Sequence, residues 1–532
     1  MDDHTHGIPP VPKGDSELLA NLGYKQELKR DFSALEVFGI SFSIIGVLPG
    51  VTSVLIYAVP YGGPVSMVWG WAVCSFFLVF IALAIAELGS AVPTAGGLYF
   101  WTFMYSSPKY RNLLSWIVGY SNTITYMAGT AGVDWACAVQ IMAVVSIGSD
   151  MTFVATTAQT FGLYAALLLC HAILASSATR IIARMQNVYI AVNVLLCIAV
   201  IAGIPAATRS EFRNPASYAF GGFENLSSWP DGYAFILSFL APLWVVGGFD
   251  SSLHISEEAR NANVAVPWAT MCATVLGSVL GWVINVVLVF NIGTDLESIA
   301  NNPIGQPMLT ILFNSFGKHG TIALWSFVIV TQFIIGISFV TASSRQIWAF
   351  SRDGALPFSK LLYRVNTFTG TPVNAVWFSA ACSLLLGLLA FAGPAAVGAV
   401  FTLGVVAQYL SYIIPISARF LGGQKFNPGP FSLGVASRPV AIVAVSWMTF
   451  MGVVLLFPST PQVAQTDMNY TVVVLGGVLC LATAYYYLPV YGGSCWFQGP
   501  VANIDIHTSV ESASSSEGYE DKVVYHVTDA SP

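Results

Sequence analysis

Long apolar stretches recur along this chain, and few charged residues interrupt them. A helix that crosses a bilayer needs about 20 apolar residues. Twelve stretches reach roughly that length: 38–58, 64–88, 113–145, 161–178, 188–205, 233–253, 267–292, 322–350, 373–392, 395–416, 440–457 and 470–491. Barrel strands would show short segments of alternating polarity, so these stretches read as helices. The pattern predicts an all-α polytopic membrane protein with twelve spans. Residues 1–33 and 499–532 read as soluble tails.

Two spans carry interruptions that a plain membrane helix does not need. Span 1 contains Gly46-Val47-Leu48-Pro49-Gly50. Span 6 contains Pro242 and then Gly247-Gly248-Phe249-Asp250. Proline removes a backbone donor, and peptide groups freed in this way cannot face lipid. They must line a polar cavity or bind something. The breaks are five spans apart. Five is odd, so a second copy of the unit would run the opposite way through the membrane. This is the pattern of an inverted repeat with its binding site at paired discontinuous helices. The repeats would be 34–206 (spans 1–5) and 233–417 (spans 6–10), joined by an outer loop at 207–232, with spans 11 and 12 in 438–491.

Composition agrees. Of 532 residues, 55% are hydrophobic and 9% are charged, against roughly 25% charged in soluble proteins. Mean hydropathy is +0.71. A cytosolic enzyme, a secreted disulfide scaffold and a disordered chain are all excluded. The net charge of -6 matters less than where the charges lie. With the N-terminus inside, only Arg209, Arg213 and Lys318 of the 20 basic residues fall outside. One misplaced span would spoil that split, so the positive-inside rule supports twelve spans and two cytoplasmic ends. Residues 1–30 are polar, so the first span is expected to direct insertion itself. The eight cysteines form no CxxC pair and read as packing residues. Sequons at Asn225 and Asn469 fall on the outer side but carry little weight.

Three local motifs carry a family resemblance. The first is Glu87-Leu88 followed by Pro93-Thr94-Ala95-Gly96-Gly97-Leu98-Tyr99. The second is Gly248-Phe249-Asp250 with Ser256-Glu257-Glu258-Ala259, Asn261 and Val266-Pro267. The third is Ser344-Arg345 with Ala349-Phe350-Ser351-Arg352-Asp353-Gly354-Ala355-Leu356-Pro357. Together they resemble the amino acid–polyamine–organocation (APC) superfamily. The run from Leu22 to Ser33 is similar to the fungal amino acid/choline branch, which includes permeases for 4-aminobutyrate (GABA) and choline. The resemblance implies a LeuT-like five-plus-five inverted repeat, two peripheral helices and alternating access, usually driven by protons.

Individual polar residues then become candidates. Asp250 sits at the break in span 6. It can hold a substrate ammonium or cap the half-helix that follows. His254, four residues on, can relay a proton or simply be hydrated. Asp134 lies mid-span 3 with no Lys or Arg at equal depth. Protonation, hydrogen bonding or a bound cation remain for it, and proton coupling or amine binding is the expectation. Trp244 corresponds to an aromatic gate in similar proteins. Tyr126, Trp135, Trp244 and Phe249 offer the rings a quaternary amine would need. Asn193 aligns with a mid-helix Lys that replaces a bound sodium ion in some bacterial relatives, so the chain departs from them there. Glu87, Glu257, Glu258, Arg345 and Arg352 cluster at inner span ends and are expected either to pair as an inner gate or to be simple interfacial charge.

The reading that results is a secondary active transporter of a small amino compound, coupled to protons. The substrate carboxylate would meet N–H groups at Gly46–Gly50, and the amine would meet span 6 carbonyls with Asp250 or Asp134. GABA or a related amino acid ranks first and choline second; a transporter-like nutrient sensor is a further alternative. No GxxxxGK[ST] or HExxH motif supports a pump or a protease. No cofactor, metal or nucleic-acid partner is expected. The plasma membrane is the first choice of location and the vacuolar membrane the second. Glu511, Ser514–Ser516 and Glu517 mark a solvated tail open to phosphorylation or ubiquitination machinery.

Overall fold

The computed structural model describes residues 14–177, 179–458, 460–461 and 468–503. The acidic, Ser-rich stretch 511–517 lies outside the described residues. Eleven helices among the described residues are long and apolar enough to cross a membrane. They are span 1 (Ala34–Tyr57), span 2 (Gly63–Ala91), span 3 (Arg111–Gly148), span 4 (Thr157–Ser177), span 5 (Thr179–Ala207) and span 7 (Ala262–Val289). Span 8 (Pro307–Arg352), span 9 (Val373–Ala392), span 10 (Pro394–Leu421), span 11 (Gly434–Val454) and span 12 (Tyr470–Tyr487) complete the set. Span 6 is missing from it only because it is in pieces, an apolar helix Asp231–Val245 and a short helix Ser251–His254.

Several spans start earlier than hydropathy suggests, and for spans 1 and 8 the cause is local. Span 1 begins at Ala34 because Ser33 and Glu36 form a capping pair, with the Ser33 N–H donating to Glu36 Oε2 at 2.7 Å. Span 8 begins at Pro307 because Gly317, with φ 66° and ψ -176°, joins a preceding helix to it.

The packing order repeats. Span 1 packs on span 6, span 2 on span 7, span 3 on span 8, and span 4 on span 9. The contact of spans 1 and 7 is mirrored by spans 6 and 2, and that of spans 3 and 10 by spans 8 and 5. One five-helix unit used twice gives this arrangement. Spans 11 and 12 pack outside it, against spans 2, 3 and 10.

Both expected breaks are present. Helix Ala34–Ile45 ends at Gly46 in the left-handed region (φ 51°), and Val47–Val54 resumes the span. Pro49 has no N–H to offer the Ile45 carbonyl four residues back. In span 6 the chain unwinds from Val246 to Asp250, with Gly248 left-handed at φ 70°. The two breaks touch. The Ser41 hydroxyl lies 3.5 Å from the Phe249 carbonyl and 3.3 Å from the Ser251 hydroxyl. A Cβ on Gly248 would stand 2.5 Å from Ile44 Cγ2.

Buried ion pairs close the end of the bundle from which both chain termini leave. Glu257 accepts two bonds from Arg352, at 2.9 and 3.0 Å, and also binds the Ala95 N–H. Glu258 pairs with Arg345 at 2.7 Å, and Glu87 pairs with Arg419 at 2.5 Å. The terminal segments fasten onto this layer. Gln26 Nε2 donates to the Glu257 carbonyl at 2.8 Å, and Asp353 accepts from the Tyr24 and Tyr99 hydroxyls and the Val501 N–H. Burial pushes the Asp353 carboxyl up to about 6, against the opposing pull of Arg352.

Three outcomes follow from this architecture. Gly248→Val combines a left-handed penalty of roughly 1–2 kcal/mol with the Ile44 clash, so the melting temperature in detergent should fall; an unchanged value contradicts the break. Arg345→Ala leaves Glu258 charged and alone, a loss of roughly 3–5 kcal/mol, whereas E258L/R345M should recover much of the melting temperature. Recovery no better than with the single change would contradict a buried pair. Because the raised Asp353 carboxyl binds its proton more tightly when enclosed, the enclosure is favoured below the ordinary carboxylate range and weakens as pH rises through about 6. Protease cleavage near Val501 should therefore be slower at pH 5 than at pH 7.5, and the reverse order would contradict it.

Candidate functional site

The unwound segment of span 6 leaves peptide groups without partners. Among the described residues, no hydrogen bond reaches the carbonyls of Val246 and Gly247 or the N–H groups of Gly248 and Phe249. The Phe249 carbonyl is satisfied by the hydroxyls of Ser252 (3.2 Å) and Thr270 (3.4 Å). Gly247 and Gly248 line a cavity of about 40 Å³ between the two breaks, with Ile44, Ile45, Gly50 and Ser53 of span 1 on the facing wall. Span 3 contributes Tyr126 and Val133, span 8 contributes Gln332 and Phe339, and span 10 contributes Gln408.

No Asp, Glu, Lys, Arg or His lines this cavity. Its polar character comes from peptide groups, amides and hydroxyls. Gln332 Nε2 donates to the Val133 carbonyl at 3.0 Å, while its Oε1 has no partner. Gln408 Nε2 donates to the Tyr412 hydroxyl at 2.8 Å, and its Oε1 lies where a Cβ on Gly247 would be 3.1 Å away. The buried Tyr126 hydroxyl also has no hydrogen-bond partner. The cavity wall thus carries amide and hydroxyl oxygens that an ammonium group needs as acceptors.

Asp250 stands one layer back. Its carboxylate does not cap Ser251–His254. It accepts instead from Asn122 Nδ2 at 3.3 Å and Gln408 Nε2 at 3.4 Å, and faces His254 Nε2 at 3.4 Å. His254 Nδ1 lies 2.8 Å from the Ala95 carbonyl, in the loop whose N–H groups meet Glu257. Asp250 does not line the cavity itself; Gln408, which does, donates to it.

Gly46, Val47, Leu48 and Pro49 do not line the cavity; Gly50 does. Gly46 lies against Ile335 of span 8, and Leu48 lies beside Cys197 of span 5. Asn193 Nδ2 donates to the Tyr189 hydroxyl, which lies 3.5 Å from the Ser43 carbonyl freed by the break. The Cys197 thiol donates to Asn193 Oδ1 at 3.3 Å and faces the Leu48 N–H. Asn193 therefore belongs to the lining of the first break. Phe249 packs on Tyr412 with ring centres 5.7 Å apart, and Trp135 packs on Tyr164 at 5.9 Å. Of the four rings considered for a cage, Tyr126 and Trp244 reach the cavity. Asp134 faces His171 of span 4, away from the cavity. Glu87, Glu257, Glu258 and Arg345 are in the ion-pair layer.

Trp244 separates the cavity from the other end of the molecule. Its ring lies 4.6 Å from Phe401, which lies 5.7 Å from Tyr57. Tyr57 lines a vestibule of about 590 Å³. The molecule is therefore open as far as this aromatic layer on one side and shut by ion pairs on the other.

Sequence reasoning missed Gln332, Gln408, Asn122, Tyr189 and His171. It searched spans for ionised groups and glycine–proline breaks. Buried amides obey the same cost rule, and Gln332 and Gln408 in spans 8 and 10 were visible on that ground.

The family model described as amino acid permease matches residues 32–479. The GABA-specific permease of Saccharomyces cerevisiae is 38% identical over 496 residues, covering 92% of this chain and 86% of that protein. An uncharacterized amino-acid permease of Schizosaccharomyces pombe is 38% identical over 492 residues, covering 92% and 90%. The amino-acid permease BAT1 of Arabidopsis thaliana is 32% identical over 509 residues, covering 93% and 98%. With its broken spans 1 and 6, its repeated packing order and a family match over most of its length, this chain belongs to the amino acid permease family, as a multi-pass membrane protein of the APC fold.

Proposed function

We propose that this permease carries a small zwitterionic amino acid, GABA or a close relative, together with protons, by alternating access. The observation that carries the reading is the cavity lining: bare peptide groups and amide oxygens, with no ionised side chain. A zwitterion brings both of its charges and needs no counter-ion. Its ammonium suits the Gly247 carbonyl and the Gln332 and Gln408 oxygens. Its carboxylate suits the Gly248 N–H, which has no other partner among the described residues. The GABA-specific relative points the same way. Choline would place an uncompensated positive charge there, and Phe249 and Trp135 lie elsewhere, so no four-ring cage is formed.

The cavity of about 40 Å³ has room for only a few waters. An amino acid therefore enters when Trp244 swings away from Phe401, and leaves when the Glu257–Arg352 and Glu258–Arg345 pairs part. We place the protein in the plasma membrane, with the tail beyond residue 503 serving trafficking rather than transport.

Radiolabelled GABA uptake in a permease-deficient yeast tests this at two external pH values. Uptake should saturate, rise in acid, and resist excess choline; choline uptake without GABA uptake would overturn the substrate. Gln408→Leu should raise the half-saturating GABA concentration about tenfold or more, as expected for loss of a roughly 1–3 kcal/mol polar contact. An unchanged value would contradict the assigned ammonium site.

A further inference from the structure

A second acid–imidazole pair lies inside the membrane, apart from the cavity. His171 Nδ1 of span 4 is 3.0 Å from Asp134 Oδ1 and 3.1 Å from Oδ2, and both side chains are fully buried. No other hydrogen bond reaches the Asp134 carboxylate among the described residues, and His171 Nε2 has no partner. Gly336 of span 8 seals the pair: a Cβ there would stand 2.3 Å from His171 Cε1 and 2.5 Å from Asp134 Oδ1. The Phe333 ring covers the imidazole at 4.4 Å. The titratable neighbours are Cys137 on span 3 and Tyr164 on span 4, whose hydroxyl is spent on the Ser383 carbonyl of span 9. Among the described residues no Lys or Arg forms an ion pair with either member.

Proton counting makes this pair unlike Asp250–His254. Asp250 receives amide N–H groups from Asn122 and Gln408, so its charge is supported whatever His254 holds. Asp134 has only His171. With one ring proton shared toward the carboxylate, the pair carries one negative charge in apolar packing, which is costly. One further proton, on the free ring Nε2, gives an imidazolium–carboxylate pair that is neutral overall. The enclosed pair therefore has room for one added proton without net charge.

The pair also sits on the joint between spans 3 and 8. Gln332, one turn before Gly336, lines the cavity and holds the Val133 carbonyl, next to Asp134. Ile335, next to Gly336, lines the same cavity. A shift of span 8 against span 3 would alter both the solute cavity and the seal on the pair.

We propose that Asp134 and His171 form a one-proton binding site, separate from the solute cavity, through which the proton gradient drives transport. This rests on the proton-coupled reading above. The test uses purified full-length protein with 15N-labelled histidine, in bilayers, followed by solid-state NMR from pH 5 to pH 8. One histidine signal, absent from H171Q or H171N, should change from imidazolium to neutral across this range, and should stay neutral in D134N. A His171 signal that keeps one form throughout overturns the site. Vesicles with an internal pH dye give the second readout. GABA should drive proton entry in the wild type and not in D134N or H171Q, and wild-type proton entry in either variant also overturns the site. If wild-type vesicles take up no GABA, the substrate assignment fails, and the histidine titration still decides the proton site. Each assignment variant replaces one buried polar side chain by another, and two are made so that one folded protein suffices.

Discussion

Lipid offers no hydrogen bonds, and that single constraint organises this molecule. Every peptide group that leaves a helix inside the membrane needs protein, water or solute. Spans 1 and 6 break that ladder side by side, through Gly46, Pro49 and the Gly247-Gly248 pair. Nearby hydroxyls, from Ser41, Ser252 and Thr270, take up the Phe249 carbonyl, and Tyr189 approaches that of Ser43. What is left over in span 6 faces a cavity rather than lipid. The repeated packing order explains why a second break lies opposite the first: a unit used twice in opposite senses brings its own discontinuity to the same depth.

The two ends of the cavity are closed by different physics. Toward the termini, three carboxylate–arginine pairs are buried, and parting them costs desolvation as well as contact. Toward the vestibule, the barrier is a set of edge-on and tilted rings, which part without leaving a bare charge. A resting state shut on the terminal side and thinly covered on the other is the natural outcome of that difference. The terminal segments reinforce the shut side through Gln26, Tyr24 and Val501, which fasten both described ends of the chain to Glu257 and Asp353.

Much of this was legible from residues alone. Apolar length placed every span, and the glycine–proline clusters located both breaks. Charges at span ends left two readings open, pairing or plain interfacial charge, and Arg345 and Arg352 are found paired. Partner identities were not legible. Glu257 meets Arg352 and Glu258 meets Arg345, and adjacent glutamates give no local cue for which takes which. The cavity wall was the other gap. A carboxylate draws attention in a hydrophobic sequence, yet Asp250 and Asp134 stand behind the wall, while Gln332 and Gln408 form it. Which face of a membrane helix turns inward depends on the packing of distant spans. His171 escaped for a related reason: Asp134 was checked against lysine and arginine, and its partner is an imidazole one helix away.

The central claim is that solute is held by peptide groups at two facing helix breaks. Electron cryomicroscopy of the protein with GABA bound tests it directly. The account predicts ligand density touching Gly50 of span 1 and Gly247–Gly248 of span 6, with both spans interrupted. Continuous helices at those positions, or density lodged in the vestibule or against Asp134, would contradict it.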